Sequence, residues 1–259
     1  MLYRYETHLH TCQASRCGRS TGAEHARYYK SLGYDGIFVS DHFFRGNCAI
    51  PRELPWEERV RLFCAGYEDA RAEGERIGLK VFFAWEESIN GDDYLIYGLP
   101  PEWLLAHPEI EFCTRREQLA LAHAAGGCVV QAHPFRQRGY IQRILLARDL
   151  VDAVEIANAG NNPVDDVCAK HYAEAYGMVM TCGSDNHNSQ PGVEPWGVAL
   201  EEPLHSAMDY VRVILGRKPI HLLCPPERFE RTPDMVPPEA WYLDADERPV
   251  RSTRNWLEA

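Results

Sequence analysis

His8 and His10 stand two residues apart in the run Glu6-Thr7-His8-Leu9-His10-Thr11. Side chains alternate along a strand, so both imidazoles point to one side. Two imidazoles on one face are a ready pair of ligands for one divalent ion. A lone His-x-His is as easily a solvated or core pair, but the pattern repeats. Asp41-His42 follows the apolar run 36–40, and Glu86-Glu87 follows 80–85. Ala132-His133-Pro134 follows 128–131, and Gly183-Ser184-Asp185-Asn186-His187 follows 178–182. In each case the ligand-type residue comes after the apolar run and never before it. Chance would not place histidines so regularly, and one shared metal site explains the regularity.

The elements that must position these residues have their own signals. Candidate strands lie at 2–8, 36–40, 80–85, 94–98, 128–131, 153–156 and 178–182. They are rich in Val, Ile and aromatics and bounded by Gly, Asp or Asn. Helical patterns separate them. Thr21-Gly22-Ala23-Glu24 reads as a capping box with a stop at Gly33, and Thr114 with Glu117 repeats it up to Gly126-Gly127. Asn162 caps a helix with Pro163 at its first position and Gly177 as its stop. Val60, Phe63, Tyr67 and Ala70 recur at helical spacing, which predicts a solvated outer helix over 57–78. Alternating strands and helices predict the α/β class, a parallel sheet covered by helices and closed into a barrel. All C-terminal strand ends of such a barrel share one rim, so the five motifs converge on one mouth. After about Lys218, the prolines Pro225-Pro226, Pro233, Pro237-Pro238 and Pro249 leave no room for a regular element. The expected organisation is a barrel domain over 1–216 and an irregular extension over 217–259 packed on it.

The chain has 259 residues, enough to bury a full core without staples. Its 27 basic and 38 acidic residues give a net charge of −11, which argues against an extended nucleic-acid or anionic-membrane surface. No apolar run is long enough for a membrane span, and no signal core precedes the first motif. Nine scattered cysteines without a Cys-x-x-Cys fit reduced thiols, hence a cytoplasmic protein.

Taken together, His8-x-His10, Ser40-Asp41-His42, Trp85-Glu86, Ala132-His133-Pro134 and Gly183-Ser184-Asp185-x-His187 resemble the polymerase and histidinol phosphatase (PHP) family of metal-dependent phosphoesterases. The resemblance covers about residues 1–216. It implies a distorted seven-stranded (β/α) TIM-like barrel holding two to three divalent ions. By the same resemblance, His8, His10 and Asp185 hold the first ion and His133 the second, with Glu86 bridging. His42 and His187 hold a third, and Asp41 orients an imidazole. Two departures favour two ions over three. Many relatives have an acidic residue or histidine after the first motif, where this chain has Cys12-Gln13-Ala14-Ser15-Arg16-Cys17. Many also have a histidine where this chain reads Gly91-Asp92-Asp93-Tyr94, so Asp93 is the substitute ligand. Cys12 and Cys17 read as buried structural cysteines, with a thiolate ligand as the alternative. Zinc, manganese and iron all suit the His and carboxylate set.

Two ions a few ångströms apart suit hydrolysis of a phosphate ester by metal-activated water. With Glu86, Asp93 and Asp185 they leave a locally positive mouth, which favours a small anionic substrate, a phosphorylated metabolite or nucleotide. Arginines follow the same strand ends: Arg16, Arg19, Arg45, Arg136 and Arg138. Arg136 and then Arg16 are the expected phosphate contacts, since a guanidinium fork matches phosphate oxygens. His187 is a ligand or else a general acid to the leaving group. Trp103, Trp196 and Trp241 read as packing, and His25 and His171 as ordinary helix residues. Two alternatives remain: an exonuclease-like phosphodiesterase, and a catalytically degenerate metal-binding domain.

Overall fold

The apolar runs become the strands of a barrel in the computed structural model, which describes residues 1–190 and 196–258. Strands β1 (Tyr3–Leu9), β2 (Gly36–Val39) and β3 (Lys80–Ile89) pair in parallel. Strands β5 (Cys128–Gln131), β7 (Ala153–Asn158) and β8 (Val179–Gly183) do the same. Between the two parallel blocks lies β4 (Asp92–Tyr97), antiparallel to both β3 and β5. Here the structure corrects the all-parallel expectation. Asn90 and Gly91 join β3 to β4 with φ of 57° and 92°, a two-residue turn of left-handed residues. The Asn-Gly pair is the usual signal for such a hairpin. The turn sets Ser88 opposite Asp93, so the start of β4 lies on the rim where β3 ends.

Two further strands, β9 (Gly197–Leu200) and β10 (His221–Leu223), extend the sheet antiparallel beyond β1. The main sheet thus has nine mixed strands, not the seven expected. It curls nearly closed. The His10 amide donates to the Asn186 carbonyl at 2.9 Å, and Asn186 returns a bond to the His8 carbonyl at 3.3 Å. β9 covers the other half of β1, pairing with Tyr3, Arg4 and Tyr5.

The helices begin where their caps predict. α1 (Gly22–Ser31) and α5 (Arg115–Ala124) start with reciprocal capping boxes, Thr21 with Glu24 and Thr114 with Glu117. α6 (Pro163–Ala175) follows Asn162. The single outer helix expected over 57–78 is two, α2 (Trp56–Phe63) and α3 (Ala65–Ile77), and they bury Val60, Phe63 and Ala70. A Cβ on Gly66 would lie 2.0 Å from the Thr11 hydroxyl, so α3 meets the end of β1 through bare backbone. α4 (Pro101–Ala106) lies against α2, and α7 (Ala207–Leu215) packs Tyr210 on Phe38 and Tyr97 inside the barrel.

The proline-rich extension also has regular elements, contrary to expectation. Besides β10 it contains β11 (Ala240–Leu243) and β12 (Pro249–Arg251), which form a small sheet with β6 (Ile144–Leu146). Proline is tolerated there because Pro249 opens an edge strand and needs no ladder donor. Trp256 packs against Phe135 and Tyr172 of the barrel domain. No helix among the described residues is long and apolar enough to cross a membrane.

Candidate metal centre

Five strand ends deliver the predicted ligand-type residues to one buried mouth. His8 and His10 flank Leu9, and their Nε2 atoms lie 3.1 Å apart. Glu86 stands at the centre. Its Oε1 is 3.3 Å from His8 Nε2 and 3.1 Å from His133 Nε2. Its Oε2 is 3.6 Å from His10 Nε2 and 2.5 Å from His42 Nδ1. Asp185 Oδ1 lies 3.0 Å from His10 Nε2 and 3.6 Å from His8 Nε2. His187 completes the cluster at the lip, its ring 4.7 Å from that of His10. Three overlapping triads have donor atoms within 4.8 Å of one another: His8, Glu86 and His133; His8, His10 and Asp185; His10, His42 and His187.

Charge and burial explain the protonation of the carboxylates. Burial alone would push the Glu86 carboxyl up, but the His42 and His8 rings together hold it well below the usual range. Asp185 is likewise held down, against burial, by His8 and Arg136. Two site residues adopt left-handed backbone, His133 at φ 29° and Asp185 at φ 54°. Non-glycine residues persist there only when their surroundings over-determine them, and such positions gather at functional sites.

A layer of partners holds the rings, and sequence reasoning missed most of it. Glu155 of β7 lies 3.0 Å from His8 Nδ1 and also accepts from the His133 amide at 3.1 Å. With His8 Nδ1–H donating to Glu155, the ring turns its Nε2 lone pair toward the centre. The available signal was a carboxylate inside the otherwise apolar run 153–156. Glu6 is buried and accepts from the His8 amide, the Tyr29 hydroxyl and the Ser184 amide. Asp41 was expected to orient an imidazole. Its bonds go instead to the Thr11 amide and hydroxyl and to the Ser15 hydroxyl, fixing the turn after His10. Ser15 in turn lies 3.4 Å from His10 Nδ1.

The remaining predicted residues divide. Asp93 faces His133 at 3.9 Å and accepts from the Ser88 hydroxyl, at the edge of the cluster and outside its three triads. Arg136 is clamped by Asn161, Asp185 and Asn158, each at 2.7 Å, so its fork is largely spent on Asp185 and the loop beside it. Arg16 donates to the Cys48 carbonyl and lines a neighbouring groove, not the metal cavity. Arg45 does line the metal cavity, and its Nη2 is buried without a hydrogen-bond partner. Arg19 is exposed, and Arg138 bonds the Gly160 carbonyl. Cys12 is exposed and Cys17 half-buried in the cavity wall, so neither is the buried cysteine expected. His25 is buried on the His10 carbonyl and His171 bonds the Trp256 carbonyl. Trp103 stacks on Trp85, Trp196 lies under Arg228 and Trp241 under Arg143, all as packing.

The donor set fits divalent ions on its own chemistry. Glu86 Oε2 and His42 Nδ1 are both buried and neither has a hydrogen-bond partner. Leaving buried polar atoms unpaired costs free energy, and a shared cation would remove that cost. Above the cluster opens a cavity of about 520 Å³, lined by His42, Arg45, Asp93, Arg136, Tyr140 and His187 among others. That is the size of a small-molecule cavity. A larger groove of about 790 Å³ lies at the opposite barrel end, beside the start of β3, away from these ligands.

No family model matches the sequence, and no curated protein matches it significantly. Solved structures do match. A two-domain protein from Bacteroides vulgatus containing a predicted PHP-like metal-dependent phosphoesterase superposes with a TM-score of 0.62 at 13% identity, over 85% of this chain. The chain spans only 64% of that protein's length. A protein from Bifidobacterium adolescentis described as a metal-dependent phosphoesterase gives 0.54 at 18% identity, covering 83% of this chain and 96% of its own. A lesion-specific endonuclease from Pyrococcus furiosus gives 0.56 at 12% identity, over 86% of this chain and 58% of the endonuclease. With its nearly closed sheet of nine mixed strands, the chain has the fold of these metal-dependent phosphoesterases and of this endonuclease.

Proposed function

We propose that the chain is a metal-dependent phosphoesterase of the PHP family, hydrolysing a small phosphorylated metabolite or nucleotide at a centre of two or three ions. One observation carries this reading. Glu86 presents one oxygen to His8 and His133 and the other to His10 and His42, all within 3.6 Å. A buried carboxylate with four imidazoles around its two oxygens is placed to be shared between neighbouring cations. His8, His10 and Asp185 would hold one ion, and His133 with Glu86 and Asp93 another. His42 and His187 would serve a third. When bound, zinc, manganese or iron supplies Lewis acidity, polarising a phosphoryl oxygen and making water a stronger acid.

The chain's own residues do the rest. Glu155 orients His8, and Arg136 fixes Asp185. Arg45 and Arg136 line the cavity where substrate oxygens would sit, and Arg45 keeps a free N–H for them. His187 stands at the lip with Nδ1 donating to the Asp185 carbonyl at 2.6 Å, which leaves Nε2 for an ion or for a leaving-group oxygen. A net charge of −11 outside the mouth disfavours long polyanions. The endonuclease among the fold neighbours supports a second reading, cleavage of a phosphodiester. Nine unpaired cysteines support a reducing, cytoplasmic setting.

The test is turnover of an aryl phosphate and an aryl phosphodiester by metal-loaded protein. Glu86→Ala should lose at least about 100-fold in rate, since even an outer partner of a ligand costs 10–100-fold. Its circular dichroism should stay that of the wild type. Wild-type protein that holds its ions and turns over neither ester would refute the reading.

A further inference from the structure

The turn after His10 brings a sulfur to the cluster. Cys17 lines the wall of the metal cavity together with His42 and His187, and the two rings hold its thiol below the usual range, against the effect of burial. Its loop is fixed on both sides. The Arg16 amide donates to the Asn47 carbonyl at 2.9 Å, and the Arg19 amide to the His187 carbonyl at 2.7 Å. Gly18 allows the close turn, because a Cβ there would lie 2.3 Å from the Thr11 carbonyl oxygen. His10, His42 and His187 already bring three ring nitrogens within reach of one ion.

A second observation points to a ligand at the same place. Glu86 is 1% exposed, and its Oε2 aims at His42 Nδ1 from 2.5 Å. Neither atom makes a hydrogen bond. The two buried atoms pair by charge without hydrogen-bond geometry, the arrangement of donors turned toward a common cation.

We propose that Cys17 is a thiolate ligand to an ion held with His42 and His187, so that this position of the centre has a mixed sulfur and nitrogen donor set. The inference rests on the metal-centre reading above and deepens it. As the sulfur–metal bond forms, the thiol proton leaves to solvent. Thiolate is a soft ligand, so the position selects zinc or cobalt over manganese. Cys12, exposed and bonded to Gln13, is outside the position.

The experiment is cobalt(II) titration of the full chain after chelation and dialysis, for wild type and Cys17→Ser. Wild type should show the near-ultraviolet thiolate-to-cobalt charge-transfer band together with the visible cobalt bands. Cys17→Ser should keep the visible bands and lose the thiolate band. Its zinc-over-manganese preference should fall by about tenfold or more, the scale of ligand-sphere changes. Iodoacetamide labelling gives a readout without any variant. Zinc should protect Cys17, read by peptide mass, and leave Cys12 labelling unchanged. Cobalt bound to wild type without the thiolate band, a band that survives Cys17→Ser, or labelling of Cys17 that zinc does not slow would overturn the assignment and leave the metal centre standing. No cobalt bound at all would overturn the metal centre itself.

Discussion

A carboxylate in the middle of an apolar strand decides which nitrogen of His8 faces the metal cluster. Glu155 does this through its contact with His8 Nδ1, and it also bonds the His133 amide and the Asn158 side chain. Glu155→Gln nearly preserves the shape but removes the charge that favours one tautomer. It should weaken metal affinity or turnover by about 10–100-fold, the usual cost at such positions. Isothermal titration with zinc is the check, and unchanged affinity with unchanged turnover would sink this role. Arg136 illustrates the opposite lesson. Its place three residues past His133 suggested a phosphate contact, yet its guanidinium is held by Asp185 and two asparagines. Arg45 has the buried N–H without a partner.

Among the elements, two contacts stand out. α1 and α3 touch backbone to backbone, for a Cβ on Gly22 would lie 2.0 Å from the Gly66 carbonyl. Gly22→Ala must push the helices apart, and overpacking of this kind costs about 1–3 kcal/mol. For a chain of this size that is a fall in Tm of roughly 2–12 °C, read by thermal melting; no shift would mean that the helices part freely. The second contact ties the extension to the site. Arg228 Nε donates to Asp166 at 2.6 Å, and Asp166 also accepts from Asn161, one of the Arg136 partners. Burial pushes the Asp166 carboxyl up to about 7 from 3.8, against the lowering effect of Arg228. The folded chain therefore holds this proton more tightly than the unfolded one. Its contribution to stability falls as pH rises from about 4 to about 7. Well above that range, at pH ~9, removing the cation in Arg228→Ala leaves the buried carboxylate without its ion-pair partner, at a cost of about 3–5 kcal/mol. The cost should shrink at pH ~5, where Asp166 takes up its proton. Denaturant midpoints at the two pH values test this, and equal losses at both would contradict it.

For the whole molecule, the ions would act as cross-links. The proposed ligands come from the ends of β1, β3, β5 and β8 and from the turn after β2, so a bound ion joins segments far apart in sequence. Binding to the folded state alone stabilises by about 2.7 kcal/mol at a hundredfold excess over Kd. That corresponds to a rise in Tm of roughly 5–11 °C. Melting with and without chelator should show the difference, and turnover should vanish with the ions. An unchanged Tm on loading would mean that the centre does not bridge these strands in the folded chain.

Local patterns were enough to place the strand ends and the ligand-type residues just beyond them. Apolar runs and capping boxes are short-range signals, so the β1, β2, β3, β5 and β8 motifs and the α1, α5 and α6 starts were legible in the amino-acid order alone. The Asn90-Gly91 pair is a local hairpin signal too, but alternating strands and helices point to a parallel sheet, which hides the antiparallel course of β4. The remaining features needed the folded chain. Glu155 meets His8 across 147 positions and Arg228 meets Asp166 across 62, and no local pattern encodes such pairs. β9, β10 and β11 are short strands that exist because an open sheet edge recruited them. Whether an arginine at the rim is free or clamped, and whether a cysteine is buried structure or cavity wall, depends on which acceptors the folded chain brings to it. That is a property of three-dimensional packing, not of spacing along the chain.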